Sequence, residues 1–154
     1  LDLLVLIEEV HSLLIPHLQH QDVVWLQTSE VNTAFITGIP DQLKQVFLNL
    51  GLNAIEAMEP AGGDLKVGIF SPHGSDQVCV TIEDSGPGIP EEHLDKLFEP
   101  FFTTKSAGTG LGLSICYDIV REHGGLIEVE NNPDSGAVFT VRLPVVVPEM
   151  QSPV

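Results

Sequence analysis

The chain is poor in positive charge: 6 Lys and Arg stand against 22 Asp and Glu, a formal net charge of −16. Such a surface repels phosphate backbones and anionic headgroups, which argues against nonspecific binding to nucleic acid or membrane. A polyphosphate ligand would have to be received by local groups and a divalent metal ion. Cysteine is scarce too. Cys79 and Cys116 have neither metal-ligand nor redox spacing, so both are expected to be buried, reduced thiols. No apolar run approaches the ~18 residues of a membrane helix, and the start Leu1-Asp2-Leu3-Leu4 lacks the basic region of a signal peptide. A cytoplasmic domain without direct membrane contact is expected. Internal repeats, low-complexity segments and Ser/His/Asp or Cys/His constellations are absent. The chain starts inside a helical pattern without an initiator methionine, and is expected to be part of a longer protein. Its 154 residues bound it to about one domain.

What is present is glycine in two informative strings, Asp84-Ser85-Gly86-Pro87-Gly88-Ile89 and Gly108-Thr109-Gly110-Leu111-Gly112-Leu113. Glycine removes the Cβ that would hold a ligand off the backbone, and successive free N–H groups form an anion-binding concavity. Phosphate is the natural guest. The carboxylate of Asp84 accepts hydrogen bonds without donating, which matches the exocyclic amino group of adenine and not the carbonyl of guanine. Alternatively, Asp84 is the N-cap or Asx-turn residue of its own loop. Gly86 and Gly88 allow close approach of a base, while Ile89 suits either a core position or a base contact. Upstream, Asn49 and Asn53 stand at i and i+4 in a segment of helical period and share one face. Asn53 offers an amide oxygen of the kind a hard cation accepts alongside water and phosphate. Between the glycine strings, Phe98-Glu99-Pro100-Phe101-Phe102-Thr103-Thr104-Lys105 places a lysine where it could swing over phosphates or stay solvated.

These four boxes, in this order, resemble the ATP-binding catalytic domain of bacterial sensor histidine kinases. The wider group includes type II topoisomerases, chaperones of the Hsp90 type and MutL repair proteins. A closing Gly136-Ala137-Val138-Phe139-Thr140-Val141-Arg142-Leu143-Pro144 is similar to the family's last strand. The resemblance implies that Asn53 is a magnesium ligand and that Asn49 helps bind the phosphates of ATP or ADP. It further implies that the two glycine boxes, with Thr104 and Lys105, complete the nucleotide site. Relatives differ at Glu56, so its role stays open, and Gly51 inside the same helix has no assigned purpose.

Periodicity and breakers predict a helix over residues 2–14 stopped by Pro16, strands over 23–27 and 32–37, and a long helix from Asp41. Strands follow over 64–71 and 77–84, then a short acidic helix over 91–97 and a helix over 111–123. A hairpin of strands 126–131 and 136–143 turns at Asn131-Asn132-Pro133-Asp134-Ser135-Gly136. The expected fold is α+β, a two-layer α/β sandwich with one mixed sheet covered on one face by three helices. The domain is assigned to residues 1–145, with 146–154 as a flexible tail.

None of the six histidines is followed directly by Asp or Glu, the partner the family's acceptor histidine uses as a base. The phosphoacceptor is therefore expected on a separate dimerisation and histidine-phosphotransfer domain of a parent kinase, with a response regulator receiver domain as indirect partner. His17-Leu18-Gln19-His20 with Asp22 is expected as surface loop rather than a metal site. A hydrolytic machine of the topoisomerase, chaperone or repair type would carry a glutamate at the position of Asn49, and a degenerate interaction module would have lost Asp84, Asn53 or the glycines.

Overall fold

The structure is a computed structural model that describes residues 1–72, 75–100 and 112–146. In chain order its elements are α1 (Leu3–His20), β1 (Val23–Ser29), α2 (Pro40–Ala57), β2 (Gly63–Phe70), β3 (Gln77–Glu83), α3 (Glu91–Leu94), α4 (Gly112–Glu122), β4 (Leu126–Asn131) and β5 (Ala137–Pro144). The strands form one five-stranded sheet in the order β1-β2-β3-β5-β4. β1 runs parallel to β2, and the other pairs are antiparallel.

Strict alternation explains how the sheet acquires one covered face. Leu65, Val67 and Ile69 of β2, Val78, Val80 and Ile82 of β3, and Phe139, Val141 and Leu143 of β5 are all buried. They meet Leu43, Val46, Phe47 and Leu50 from α2, with α1 and α4 on either side of it, in one continuous core. Each such side chain contributes on the order of 1.5–3 kcal/mol when fully buried. The expected mixed sheet under three helices is thus the observed fold, with α3 only a single turn.

Three local expectations fail for tertiary reasons. α1 continues past Pro16 to His20, because Leu14 and Leu18 are buried on either side of the proline. Pro16 itself is on the exposed face, where the carbonyl it leaves unbonded can turn to water. His17 and His20 are accordingly in the last turn of a helix, not in a loop. Residues 32–37 form no strand. Ala34 and Ile36 do bury alternate side chains, but among the described residues their ladder contact is limited to a bridge between Asp2 and Phe35. Here Leu3 N–H donates to the Ala34 carbonyl and Ile36 N–H to the Leu1 carbonyl. Asp2 caps α1 and ties down this segment together, its Oδ1 accepting from Leu4 N–H and from Ala34 N–H, both at 3.1 Å. Finally, the acidic helix expected over 91–97 is limited to Glu91–Leu94. Val145 and Val146 donate backbone bonds to Asp76 and Phe35, and residues 147–154 lie outside the described residues.

Gly51 acquires a structural reason. A Cβ at this position would stand 2.6 Å from Leu14 Cδ1, so the glycine lets α1 and α2 approach closely. Among the described residues, no helix is long and apolar enough to cross a membrane.

Candidate nucleotide site

The strand β3 ends by delivering Asp84 to a buried position, 5% exposed, at the start of the first glycine string. Its backbone N–H donates to the Ala137 carbonyl at 3.1 Å, extending the β3–β5 pairing by one residue. Its Oδ1 accepts from Gly86 N–H at 2.9 Å and from Ala137 N–H at 3.4 Å. The Asx-turn is therefore real, and it leaves Asp84 further acceptor capacity, since an ionised carboxylate offers about four lone-pair sites. Burial pushes the Asp84 carboxyl above its ordinary value, with the two N–H bonds pulling the other way. A carboxylate kept in a dry corner with part of its acceptor capacity unused is suited to a ligand that brings a donor.

The loop beyond Asp84 is fixed on both sides. Toward α2, a Cβ on Gly86 would meet the Ala57 carbonyl oxygen at 2.6 Å. Met58, the C-cap of α2, receives the Ser85 N–H at 3.5 Å and the Ser85 hydroxyl at 3.3 Å on its sulfur. Ser85 Oγ in turn accepts from Asp64 N–H. Toward the β4–β5 turn, Ile89 is bonded through both its N–H and its carbonyl to the side chain of Asn131. Gly88 has φ +85°, the left-handed region in which glycine carries no steric cost.

The second part of the site lies along α2. Asn49, Asn53 and Ala57 follow one another at successive turns of one stripe, so the stripe covers about 12 Å from Asn49 to the contact with Gly86. Both asparagines are half-buried. Asn49 Nδ2 donates to Cys116 Sγ of α4 at 3.8 Å, and that thiol donates to the Val46 carbonyl at 3.7 Å. Burial pushes the Cys116 thiol up to about 11, so it stays protonated and able to donate. Both cysteines are free thiols with no exposed surface, as their spacing suggested.

Phe98 anchors the start of the phenylalanine box, with ring centroids 5.5 Å from Tyr117 and 6.3 Å from Phe139. Leu97 beside it joins the core. Phe101, Phe102, Thr103, Thr104, Lys105, Gly108, Thr109, Gly110 and Leu111 lie outside the described residues. Gly112 and Leu113 open α4, Gly112 exposed and, among the described residues, with nothing within 4 Å of where a Cβ would stand, Leu113 packed against the core's edge. Among the described residues, no group of three or more His, Cys, Asp or Glu could hold a metal ion.

Sequence reasoning did not find Met58, Ser85, Cys116, Asn131 or Ser135. Asn131 and Ser135 were visible only as turn formers, and nothing local to Met58 or Cys116 marks them.

This architecture, a mixed sheet under three helices with a buried aspartate opening a glycine loop beside an asparagine-bearing helix, defines an ATP-binding class. The family described as histidine kinase-, DNA gyrase B- and HSP90-like ATPases matches residues 38–147. The chain belongs to that family, as an ATP-binding catalytic domain of the sensor histidine kinase type. It is 41% identical over 144 residues to sporulation kinase A of Bacillus subtilis (strain 168), a match covering 94% of this chain and 23% of that protein. The chain thus spans about a quarter of this relative's length. The catalytic domain of histidine kinase ThkA, in a nucleotide-free form, superposes with a TM-score of 0.84 at 38% identity, covering 94% of this chain and 93% of that one. Histidine kinase ThkA in complex with the response regulator protein TrrA superposes with a TM-score of 0.81 at 35% identity, covering 95% of this chain and 41% of that one.

Proposed function

We propose that the chain holds Mg-ATP and presents its γ-phosphate to a histidine on a separate dimerisation domain of a parent kinase, from which a response regulator receiver domain later takes the phosphoryl group. The observation that carries this reading is Asp84: a nearly inaccessible carboxylate, preorganised by Gly86 and Ala137, at one end of an asparagine stripe of about the length of a nucleotide. The base sits against Asp84, Gly86, Gly88 and Ile89. The phosphates extend toward Asn49 and Asn53, and Asn53 holds the metal. When bound, magnesium neutralises phosphate charge and orients the γ-phosphate for in-line attack. By the family resemblance, Thr104, Lys105, Gly108, Thr109, Gly110, Leu111, Gly112 and Leu113 are assigned to the phosphates, with Lys105 as their cationic contact. The start of α4 adds the positive end of a helix.

A net charge of −16 makes this local, metal-assisted reception necessary, and it disfavours nucleic acid and membrane as partners. A cytoplasmic location follows from the need for ATP. No histidine of the chain is followed by a carboxylate to take its proton, so the chain is the donor and not the acceptor.

The test is incubation with γ-labelled ATP. The 154-residue chain alone is expected to bind nucleotide without acquiring acid-labile, base-stable label. Adding the parent's dimerisation domain as a separate polypeptide restores labelling, on that domain, because proximity supplies the acceptor and its base. Label on the isolated chain, or rapid release of phosphate by it, overturns the reading.

A further inference from the structure

The β4–β5 turn makes more bonds to the loop at Asp84 than a turn needs for its own closure. Asn131, the last residue of β4, points its side chain out of the hairpin at Ile89: Oδ1 accepts the Ile89 N–H at 2.8 Å and Nδ2 donates to the Ile89 carbonyl at 2.7 Å. An amide is the side chain that can imitate a strand neighbour in this way, one donor and one acceptor in one plane. The flipped amide would set N–H against N–H and oxygen against oxygen, so the orientation is fixed by the backbone it serves. Four residues on, Ser135 Oγ lies 2.8 Å from the Gly86 carbonyl and 3.2 Å from the Ser85 carbonyl, donating its proton to them.

Two glycines show that this contact is a close fit. A Cβ on Gly88 would come within 2.9 Å of Asn131 Oδ1. Gly136 has φ +88°, and its Cα abuts the Asp84 backbone carbonyl so closely that no side chain could be accommodated there. The next residue, Ala137, supplies both the carbonyl that accepts from Asp84 N–H and the N–H that reaches Asp84 Oδ1. The turn therefore touches the loop at its beginning, middle and end.

We propose that Asn131, assisted by Ser135, is a positioning residue for base recognition: it holds Ile89 and Gly88 at the distance from Asp84 that admits adenine and discriminates against guanine. This rests on the assignment of Asp84 as the base-binding carboxylate. The physical reason is preorganisation. A glycine loop has many conformations to lose on binding, and the Asn131 clamp removes them beforehand, so that the ligand does not bear that cost. A loosened loop lets the base shift, and a shift weakens the directional bond to Asp84 more than it weakens phosphate contacts on α2.

The experiment titrates the 154-residue chain with ADP, with GDP and with magnesium pyrophosphate, in the unmodified protein and in Asn131→Ala, Asn131→Asp, Ser135→Ala and Asp84→Asn. Asn131→Ala is expected to weaken ADP about tenfold and to narrow the ADP-over-GDP preference, with pyrophosphate unchanged. Asn131→Asp keeps the acceptor for Ile89 N–H but sets a second acceptor against the Ile89 carbonyl, and is expected to show a loss of the same kind. Ser135→Ala gives a smaller loss in the same direction, and it carries the test if the Asn131 variants do not fold. A purely structural role would lower the melting temperature and weaken all three ligands alike, leaving the ADP-over-GDP ratio in place, and that result overturns the proposal. Unchanged ADP affinity in the Asn131 variants, with Asp84→Asn impaired, also overturns it while sparing the base site. Unchanged ADP affinity in Asp84→Asn removes the base-site assignment itself.

Discussion

At the base end of the site nearly every position is held through backbone: Asp84 by both groups of Ala137, Gly86 by Asp84 and Ser135, Ile89 by both bonds from Asn131. At the phosphate end, two half-buried asparagines project from the middle of α2, and Asn49 Nδ2 donates to the Cys116 thiol at 3.8 Å. On the proposed function, the difference matches what each end receives. A base is recognised by direction, so its partners must not move, and Asp84 remains buried although burial disfavours its charge. A phosphate with its metal is recognised mainly by charge, which tolerates displacement and is strengthened by groups that arrive with the ligand.

The comparison breaks most visibly at Asp84. Asp84→Asn keeps an Oδ1 for Gly86 and Ala137 but presents an N–H to adenine's amino group, and is expected to weaken ADP by about 10–100-fold in calorimetric titration. The same change should raise the melting temperature of the ligand-free domain at neutral pH. The sign follows from the raised carboxyl: the folded state binds this proton more tightly than the unfolded chain does. Stability from the group is therefore present in acid and lost as pH rises through the folded value, and asparagine has no such loss. Unmodified protein should also lose ADP affinity as pH falls through that raised value. A less stable Asp84→Asn domain would mean that the aspartate serves structure first.

At the phosphate end, Cys116 offers a second measure. Its thiol is pushed from 9.0 up to about 11, so the unfolded chain releases the proton before the folded one does. Stability should fall as pH rises from about 9 to about 11, by roughly 2–3 kcal/mol from this group. Urea unfolding across that range, compared with Cys116→Val, isolates the effect, since valine cannot titrate. Equal alkaline losses in both proteins would show that the thiol is not dry.

Asn53→Ala sharpens the contrast from the other side. It should remove the magnesium-dependent part of ATP affinity, about tenfold, and leave adenosine binding at Asp84 nearly unchanged. Equal loss for both ligands would place the damage in α2 as a whole and erase the division between the two ends.

How much of this was legible depends on the range over which each residue acts. Alternation in residues 64–71 and 77–84 exposed the strands because neighbours two apart share a face. Asp84, the glycines and the asparagines were legible because their chemistry is carried by the residue type itself. Pro16 misled because its local penalty is real, yet Leu14 and Leu18 are both fixed in the core and hold the helix through it. Residues 32–37 misled because their alternation pairs with the start of α1 instead of a sheet. Asn131 and Ser135 act on residues 42 and 49 or 50 positions away, and turn residues that serve another loop look the same in sequence as turn residues that serve themselves.

Gly51 gives the smallest expected effect and tests whether the helix pair beneath the site is separable from both of its ends. In isolation, glycine inside a helix costs up to ~1 kcal/mol against alanine, so Gly51→Ala should stabilise α2 on propensity alone. Against this, the new Cβ would stand 2.6 Å from Leu14 Cδ1, and Leu14 is only 1% exposed. Overpacking of this kind costs about 1–3 kcal/mol, which outweighs the propensity gain. The net expectation is a loss of about 1 kcal/mol, a fall of about 2–4 °C in melting temperature for a chain of this length. ADP and magnesium-dependent ATP affinities should be unchanged, because Gly51 packs against Leu14 of α1 while Asn49 contacts Cys116 of α4 and Asn53 follows Asn49 one turn later on the same face. A more stable Gly51→Ala domain would show that Leu14 yields and that the glycine is not required by packing. A loss of nucleotide affinity without loss of stability would show that the α1–α2 contact sets the asparagine stripe, and the phosphate end would then be as preorganised as the base end.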